Sequence, residues 1–136
     1  MATVMSNEIY WLVLTLLMTA VMWVPYILNR IIEQGGLPAF WDPYGITETK
    51  YAWARRMMRA HENAVENLVV FAPLVLLIEF ARLNNSLTAT VCMIYFFARL
   101  THFLVFTLAV PLLRVVAFLV GFSMQMLLVA RLFQVV

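Results

Sequence analysis

The feature that most constrains this chain is an uncharged, strongly apolar run near its N-terminus, residues 9–29. At about 1.5 Å per residue, a helix of that length matches the roughly 30 Å hydrocarbon core of a bilayer. The run has no basic residue before it and is too long for a signal-peptide core, which predicts a retained membrane helix. The composition agrees, because 65% of the residues are hydrophobic, far above the share in soluble domains.

Further apolar stretches predict three more helices after the first. We expect the four helices at residues 9–32, 47–82, 87–108 and 112–133, within one transmembrane domain covering residues 1–136. Short connections between them predict an all-α membrane protein, an up-down four-helix bundle. The segment 33–46 combines glycine, proline and aromatic residues, which is typical of a loop lying in the interfacial layer.

Prolines and polar residues predict where these helices bend or begin. Pro25 predicts a bend near the end of the first helix, and Pro73 is a candidate for a kink in the second. Thr47 followed by Glu48 predicts a capped start for the second helix, with a hydroxyl at the cap and an acid in the first turn.

The cations are distributed unevenly between the two ends of such a bundle. One end gathers Arg30, Lys50, Arg55, Arg56, Arg59 and Arg114. The opposite end has only Arg82 and Arg131. The positive-inside rule therefore predicts that the richer end faces the cytoplasm and that both termini lie on the other side.

Ionisable residues enter the second helix at membrane depth. Its uncharged run, residues 67–78, is too short to cross the bilayer alone, so the preceding stretch RRMMRAHENAVEN must extend into the membrane zone. Helical spacing places Arg59, Asn63 and Glu66 on one face. Such groups are costly near lipid, which favours a ligand site, with a buried structural ion pair as the alternative.

Two other helices contribute polar residues to the same end. Arg99 and His102 lie one turn apart on the third helix, followed by Phe106 on the same face, and Arg114 lies in the first turn of the fourth. Cations outnumber acids in this zone, so a small anionic ligand that also carries an amine would be complementary. A site open to both cytoplasm and lipid suits one water-soluble and one apolar reactant.

Other kinds of site are not indicated. There is no HExxH, CxxC, glycine-rich phosphate loop, Ser/His/Asp set or basic RNA-binding signature, so nucleic acid is not an expected partner. Cys92 lies among apolar residues, which predicts a buried, inert thiol. Arginines flank His61, Glu62 and His102 and disfavour a divalent cation, so no metal site is predicted.

Three motifs resemble one known family. RAHENAVENL, residues 59–68, resembles the RAHxNxxEN signature of the MAPEG family, the membrane-associated proteins of eicosanoid and glutathione metabolism. ARLTHFLVF, residues 98–106, is similar to the third helix of that family. LLRVVAFLVGF, residues 112–122, resembles the start of the fourth helix in its microsomal glutathione transferases. Within the family, the chain most resembles the branch that contains the microsomal glutathione transferases and the prostaglandin E synthases. The first helix resembles the family only in its hydropathy.

The resemblance implies a homotrimer in membrane lipid, with glutathione held between neighbouring protomers near the cytoplasmic face. By position, the implied glutathione-binding residues are Arg59, Asn63, Glu66, Arg99 and His102. Arg114 resembles the catalytic arginine that stabilises the glutathione thiolate, since a cation beside a thiol lowers its pKa. The implied activity is conjugation of glutathione to apolar electrophiles or reduction of lipid hydroperoxides.

Three positions depart from the family pattern. Phe106 and Phe118 stand where tyrosines occur in many members or in the prostaglandin synthase branch, and Arg55 stands where an acid is expected. These departures disfavour prostaglandin synthesis. They also motivate an alternative, a non-catalytic membrane protein that keeps the fold and binds lipid or an anionic ligand. A proton-coupled exporter is disfavoured, because no acid follows Glu8 in the first helix.

Overall fold

The chain folds into a bundle of long helices. The computed structural model describes residues 5–42 and 48–136, and in these residues it contains helices and no strand. The helices are α1 Asn7–Val21, α2 Val24–Glu33, α3 Ala52–Phe80, α4 Ser86–Thr107 and α5 Pro111–Leu132, with a 3-10 helix at Leu37–Trp41. Four spans, Asn7–Glu33 and the helices α3, α4 and α5, are long and apolar enough to cross a membrane. The predicted all-α, four-span architecture is confirmed.

The first span is interrupted between α1 and α2. Pro25 lies in the first turn of α2, where its missing N–H removes no intrahelical hydrogen bond. Thr15 and Thr19 in α1 are buried, and each hydroxyl donates to the carbonyl four residues earlier, at 2.8 Å. The first span is thus divided into two helices next to Pro25, the position at which the sequence predicts a bend.

The helix predicted at residues 47–82 corresponds to α3, which begins at Ala52 rather than at residue 47. Glu33, at the end of α2, explains the later start, because its carboxylate accepts hydrogen bonds from the Thr49 hydroxyl (2.7 Å) and the Lys50 N–H (2.8 Å). These contacts hold the residues before α3 in a non-helical path. The predicted capped start is wrong, because α3 has Tyr51 at its N-cap with no side-chain hydrogen bond, and Glu48 lies before its first turn. Thr47 itself and residues 43–46 of the predicted interfacial loop lie outside the described residues. Beyond Ala52, α3 runs without interruption through Pro73.

The main core lies between α1, α3, α4 and α5. Its buried members are Leu12, Phe71, Val75, Ile78, Val91, Cys92, Tyr95 and Leu128. Phe71 and Tyr95 stack with ring centroids 3.6 Å apart, which joins α3 to α4. Cys92 is buried and free, as its apolar neighbours predicted. Large apolar side chains such as Leu17, Val69, Phe97 and Leu119 point outward, where a membrane helix meets lipid.

A polar cluster fastens α1 to the turn between α3 and α4. Glu8 is buried and accepts a hydrogen bond from the Thr88 hydroxyl, and Thr88 also forms a capping box with Asn85 at the start of α4. Close by, Glu79 accepts from the Ser6 hydroxyl (2.6 Å) and the Asn84 amide (2.7 Å). Each carboxylate at this end thus has a hydrogen-bond donor.

Replacing Thr88 by valine should destabilise this end of the bundle. Valine has nearly the same shape as threonine but leaves the buried Glu8 carboxylate without the Thr88 hydroxyl as its hydrogen-bond donor. The free energy of unfolding should therefore fall by about 1–3 kcal/mol. Thermal unfolding in detergent would measure it. Thr90→Val is the matched control, because the Thr90 hydroxyl is exposed and bonds only to the Ser86 carbonyl (2.8 Å). Equal unfolding midpoints for the two variants would contradict this role of Thr88.

Candidate functional site

The interior of the bundle contains one fully buried cation. Arg99 in α4 is only 1% exposed, and its Nη2 donates to the Asn63 side-chain oxygen in α3 at 3.2 Å. Its guanidinium carbon lies 5.6 Å from the ring centre of Phe118 in α5. Gly121, one turn further along α5, lies against the Arg99 side chain. Three helices therefore meet at this guanidinium.

Amide and hydroxyl groups continue the polar interior from Arg99. The Asn67 amide donates to the Asn63 carbonyl (2.8 Å), and the Gln125 amide donates to the Asn67 carbonyl (3.0 Å), which links α5 to α3. The Tyr95 hydroxyl is buried beside Arg99. In the part of the chain that the structure describes, this hydroxyl and Nε and Nη1 of Arg99 make no hydrogen bond of good geometry, although the hydroxyl lies close to both Arg99 and Gln125.

Sequence reasoning missed Asn67, Tyr95 and Gln125 as members of this group. One signal was available for Gln125, which is the only amide side chain between residues 112 and 133 and lies on the same helical face as Phe118 and Gly121. Tyr95 carried no comparable signal, because a tyrosine in an apolar helix is usually a core residue.

Aromatic rings enclose His102, the second residue of the predicted site on α4. His102 is 3% exposed, and its ring centre lies 5.6 Å from that of Phe106 and 6.2 Å from that of Phe118. Phe118 thus contacts both His102 and Arg99, so the two residues predicted from α4 face the same ring. Phe106 and Phe118 give this wall an apolar surface without hydroxyl groups.

Arg114 is half-buried at the start of α5, on the wall of a cavity of about 170 Å³. Its guanidinium carbon lies 4.5 Å from the ring centre of Phe106, in cation–π geometry. Arg56 from α3 lines the same cavity, and its Nε donates to the Thr107 carbonyl at 2.8 Å. The other lining residues are Phe106, Ala109, Val110 and Pro111, so the described residues that line this cavity include no acid.

The outer face of α3 carries the other predicted residues. Arg59 and Glu62 form an ion pair at 3.1 Å with side chains 75% and 57% exposed, and Glu66 is exposed one turn further on. The structure therefore brings Asn63, Arg99 and His102 together inside the bundle. It leaves Arg59 and Glu66 on the outside of the single chain, apart from that group. His61, also on α3, contacts α2 through the Tyr26 hydroxyl at 2.9 Å.

A second, apolar groove of about 340 Å³ lies between α4 and α5. Its lining residues are Ile94, Phe97, Ala98, Thr101, Leu113, Val116, Ala117 and Val120. Leu113 precedes Arg114 in the chain, but Arg114 itself lines the first cavity and not this groove. Over the described ranges, no group of three or more histidine, cysteine, aspartate or glutamate side chains could hold a metal ion.

Comparison with known proteins identifies one family. The chain matches the sequence model of the MAPEG family over residues 9–134, a range that includes nearly all of the four spans. No curated protein and no solved structure matches the chain. The family includes glutathione-dependent transferases and non-catalytic members. Together with the four apolar spans, the match shows an integral, multi-pass membrane protein.

The contact between Arg99 and Asn63 can be tested by a double-mutant cycle. Asn63→Leu removes the acceptor of a buried guanidinium and should lower the free energy of unfolding by about 1–3 kcal/mol or more, because the charge stays buried. Arg99→Met in the same chain should recover much of that loss, since an apolar side chain needs no acceptor. Thermal unfolding in detergent gives both values. A double variant whose loss equals the sum of the single losses would show that the two residues are not coupled.

Proposed function

We propose, from the premise that the chain belongs to the MAPEG family, that it is a glutathione-dependent membrane enzyme that conjugates glutathione to apolar electrophiles or reduces lipid hydroperoxides. The observation that carries this proposal is the position of Arg114. Its guanidinium lies in the first turn of a membrane helix and has no ion-pair partner among residues 5–42 and 48–136. A cation at such a place is costly unless an anion approaches it.

The polar groups present fit glutathione in kind. Glutathione carries two carboxylates, an ammonium, two amides and a thiol. Arg99 is buried inside the bundle and holds the Asn63 side chain through its Nη2, so it braces the site. Glu66 offers an exposed carboxylate for the ammonium, and Arg59 offers a further cation on the same helix. Arginine forks suit carboxylates because they donate two parallel hydrogen bonds.

Arg114 is the residue that we assign to the reacting sulfur. When bound, glutathione supplies a thiolate. In conjugation, the sulfur forms a bond to carbon and a leaving group departs with the bonding electrons. In hydroperoxide reduction, two glutathione molecules are oxidised to a disulfide while the hydroperoxide is reduced to an alcohol and water. The Phe106 ring beneath the guanidinium fixes its position without using an N–H. All five N–H groups of Arg114 therefore stay available to hold negative charge.

The second reactant comes from the membrane in this proposal. The groove between α4 and α5 has a volume of about 340 Å³, within the ~300–1,000 Å³ typical of small-molecule sites. It opens on the outer surface of the bundle, and its lining includes Leu113, the residue before Arg114 in the chain. In this proposal an apolar electrophile or hydroperoxide approaches the arginine from lipid while glutathione enters from water.

A homotrimer completes the proposed site. Arg59, Glu62 and Glu66 form a charged outer face on a helix that spans the membrane, and such a face is costly against lipid. A neighbouring protomer that covers this face would bring Arg59 and Glu66 to a site between chains. Family members are typically trimers, which supports the same assembly. The positive-inside rule places this end of the bundle at the cytoplasmic face, with both termini on the other side.

A non-catalytic binding protein is the second candidate. The observation in its favour is that Phe106 and Phe118, the rings that cover Arg114, His102 and Arg99, carry no hydroxyl to take part in proton transfer. In that case the same arginines would hold a lipid or an anionic ligand, and no turnover would follow.

Turnover of a generic electrophile, 1-chloro-2,4-dinitrobenzene, by the purified full-length protein with glutathione tests the proposal. Arg114→Ala should lower kcat by about 10²-fold, the effect of removing one preorganised charge-stabilising group. It should also abolish the ultraviolet absorption of the bound thiolate. Arg131→Ala is the matched control, because Arg131 lies at the other end of α5 and bonds to the Leu83 carbonyl (3.1 Å).

The outcomes separate the two candidates. Undiminished turnover in Arg114→Ala would remove Arg114 from the proposed role. A calorimetric titration of the wild-type protein that shows no glutathione binding would exclude the glutathione enzyme and favour the non-catalytic candidate.

A further inference from the structure

The cavity between Arg56 and Arg114 contains a second guanidinium, that of Arg56, which has no role in the proposed reaction. The Arg56 Nε donates to the Thr107 carbonyl at the end of α4, which fixes the orientation of its guanidinium. Its two terminal nitrogens have no partner within the described part of the chain. Arg56 is half-buried and forms no ion pair there, so its positive charge is directed into the cavity without a neutralising acid.

The size of this cavity restricts what can occupy it. Its volume is about 170 Å³, below the ~300 Å³ at which small-molecule sites usually begin. A whole tripeptide does not fit such a space, whereas a single phosphate or carboxylate group does. An occupant of this kind would keep the rest of its structure outside the cavity.

The surroundings of the cavity are those of the membrane interface. It lies at the turn between α4 and α5, and Leu108 and Leu112 on either side of the turn are 71% and 74% exposed. A ligand with an anionic head and apolar chains would match both the arginines and the exposed leucines.

We propose that the cavity between Arg56 and Arg114 binds the phosphate of an anionic phospholipid from the surrounding membrane. Basic pockets between membrane helices on the cytoplasmic side are typical sites for such head groups. Two guanidinium forks can hold one phosphate through several charge-assisted hydrogen bonds, and the acyl chains would extend over the exposed leucines. This site needs no glutathione chemistry, so it goes beyond the proposed function, although Arg114 lies on its wall.

Lipid selectivity of the full-length protein in phosphatidylcholine nanodiscs tests this proposal. Electron paramagnetic resonance of spin-labelled phosphatidylglycerol and phosphatidylcholine measures the fraction of each lipid that the protein immobilises. We expect the wild-type protein to prefer phosphatidylglycerol by about tenfold, or ~1.4 kcal/mol, because its head group is a net anion whereas the choline ammonium neutralises the phosphate of phosphatidylcholine. Arg56→Gln should reduce the preference to nearly none, because glutamine can still donate to the Thr107 carbonyl but carries no charge.

Arg55→Gln is the matched control. Arg55 is the neighbouring arginine, it is exposed, and it bonds to the Thr49 carbonyl (3.1 Å) outside the cavity. Its variant should keep the wild-type preference, and Arg56→Lys, which retains a charge, should keep part of it. Equal loss of preference in Arg55→Gln and Arg56→Gln would overturn the proposal in favour of a diffuse basic surface.

The wild-type protein alone gives further decisive results. No preference for phosphatidylglycerol overturns the proposal without any variant. Displacement of the labelled lipid by millimolar inorganic phosphate would overturn it in favour of a soluble-anion site, and displacement by glutathione would assign the cavity to the glutathione site. Because the lipid preference is measured without glutathione, its result is independent of whether the protein catalyses the proposed reaction.

Discussion

Burial of one guanidinium in an apolar bundle is the constraint on which the rest of the structure depends. Arg99 cannot be hydrated where it lies, so the neighbouring helices must supply polar or aromatic groups around it. Asn63 comes from α3 and Phe118 from α5, and the amide chain from Asn67 to Gln125 ties the same two helices together beside it. A buried charge of this kind gives little net stability but admits few alternative arrangements of the helices.

The two ends of the bundle satisfy their charges in different ways. At the turn between α3 and α4, Glu8 and Glu79 accept hydrogen bonds from hydroxyl and amide groups of the same chain. At the opposite end, Arg56 and Arg114 share a cavity in which the described residues include no acid. The first end is therefore complete within one chain and serves to fasten the helices, whereas the second can accept anions from outside.

The number and order of the spans could be predicted from the sequence, because uncharged apolar length is a local property. The start of α3 could not, since it depends on Glu33 holding Thr49 and Lys50, a contact between separate elements. Which side chains of α3 point into the bundle could not be predicted from the sequence either. At about 100° per residue, Arg59, Asn63 and Glu66 spread over an arc of some 60°. Packing against α4 then turns Asn63 inward and leaves the two charges outside, which spacing alone does not determine.

The phenylalanines at positions 106 and 118 change how the arginines of this site can act. A tyrosine hydroxyl could form hydrogen bonds with a guanidinium or with its ligand, whereas these rings contact Arg114 and Arg99 through their faces. Face contacts orient a cation without using its N–H groups. The arginines thus keep their donors for anions, while the walls around them remain apolar. In both proposals, recognition at this end of the bundle would depend on negative charge joined to apolar surface.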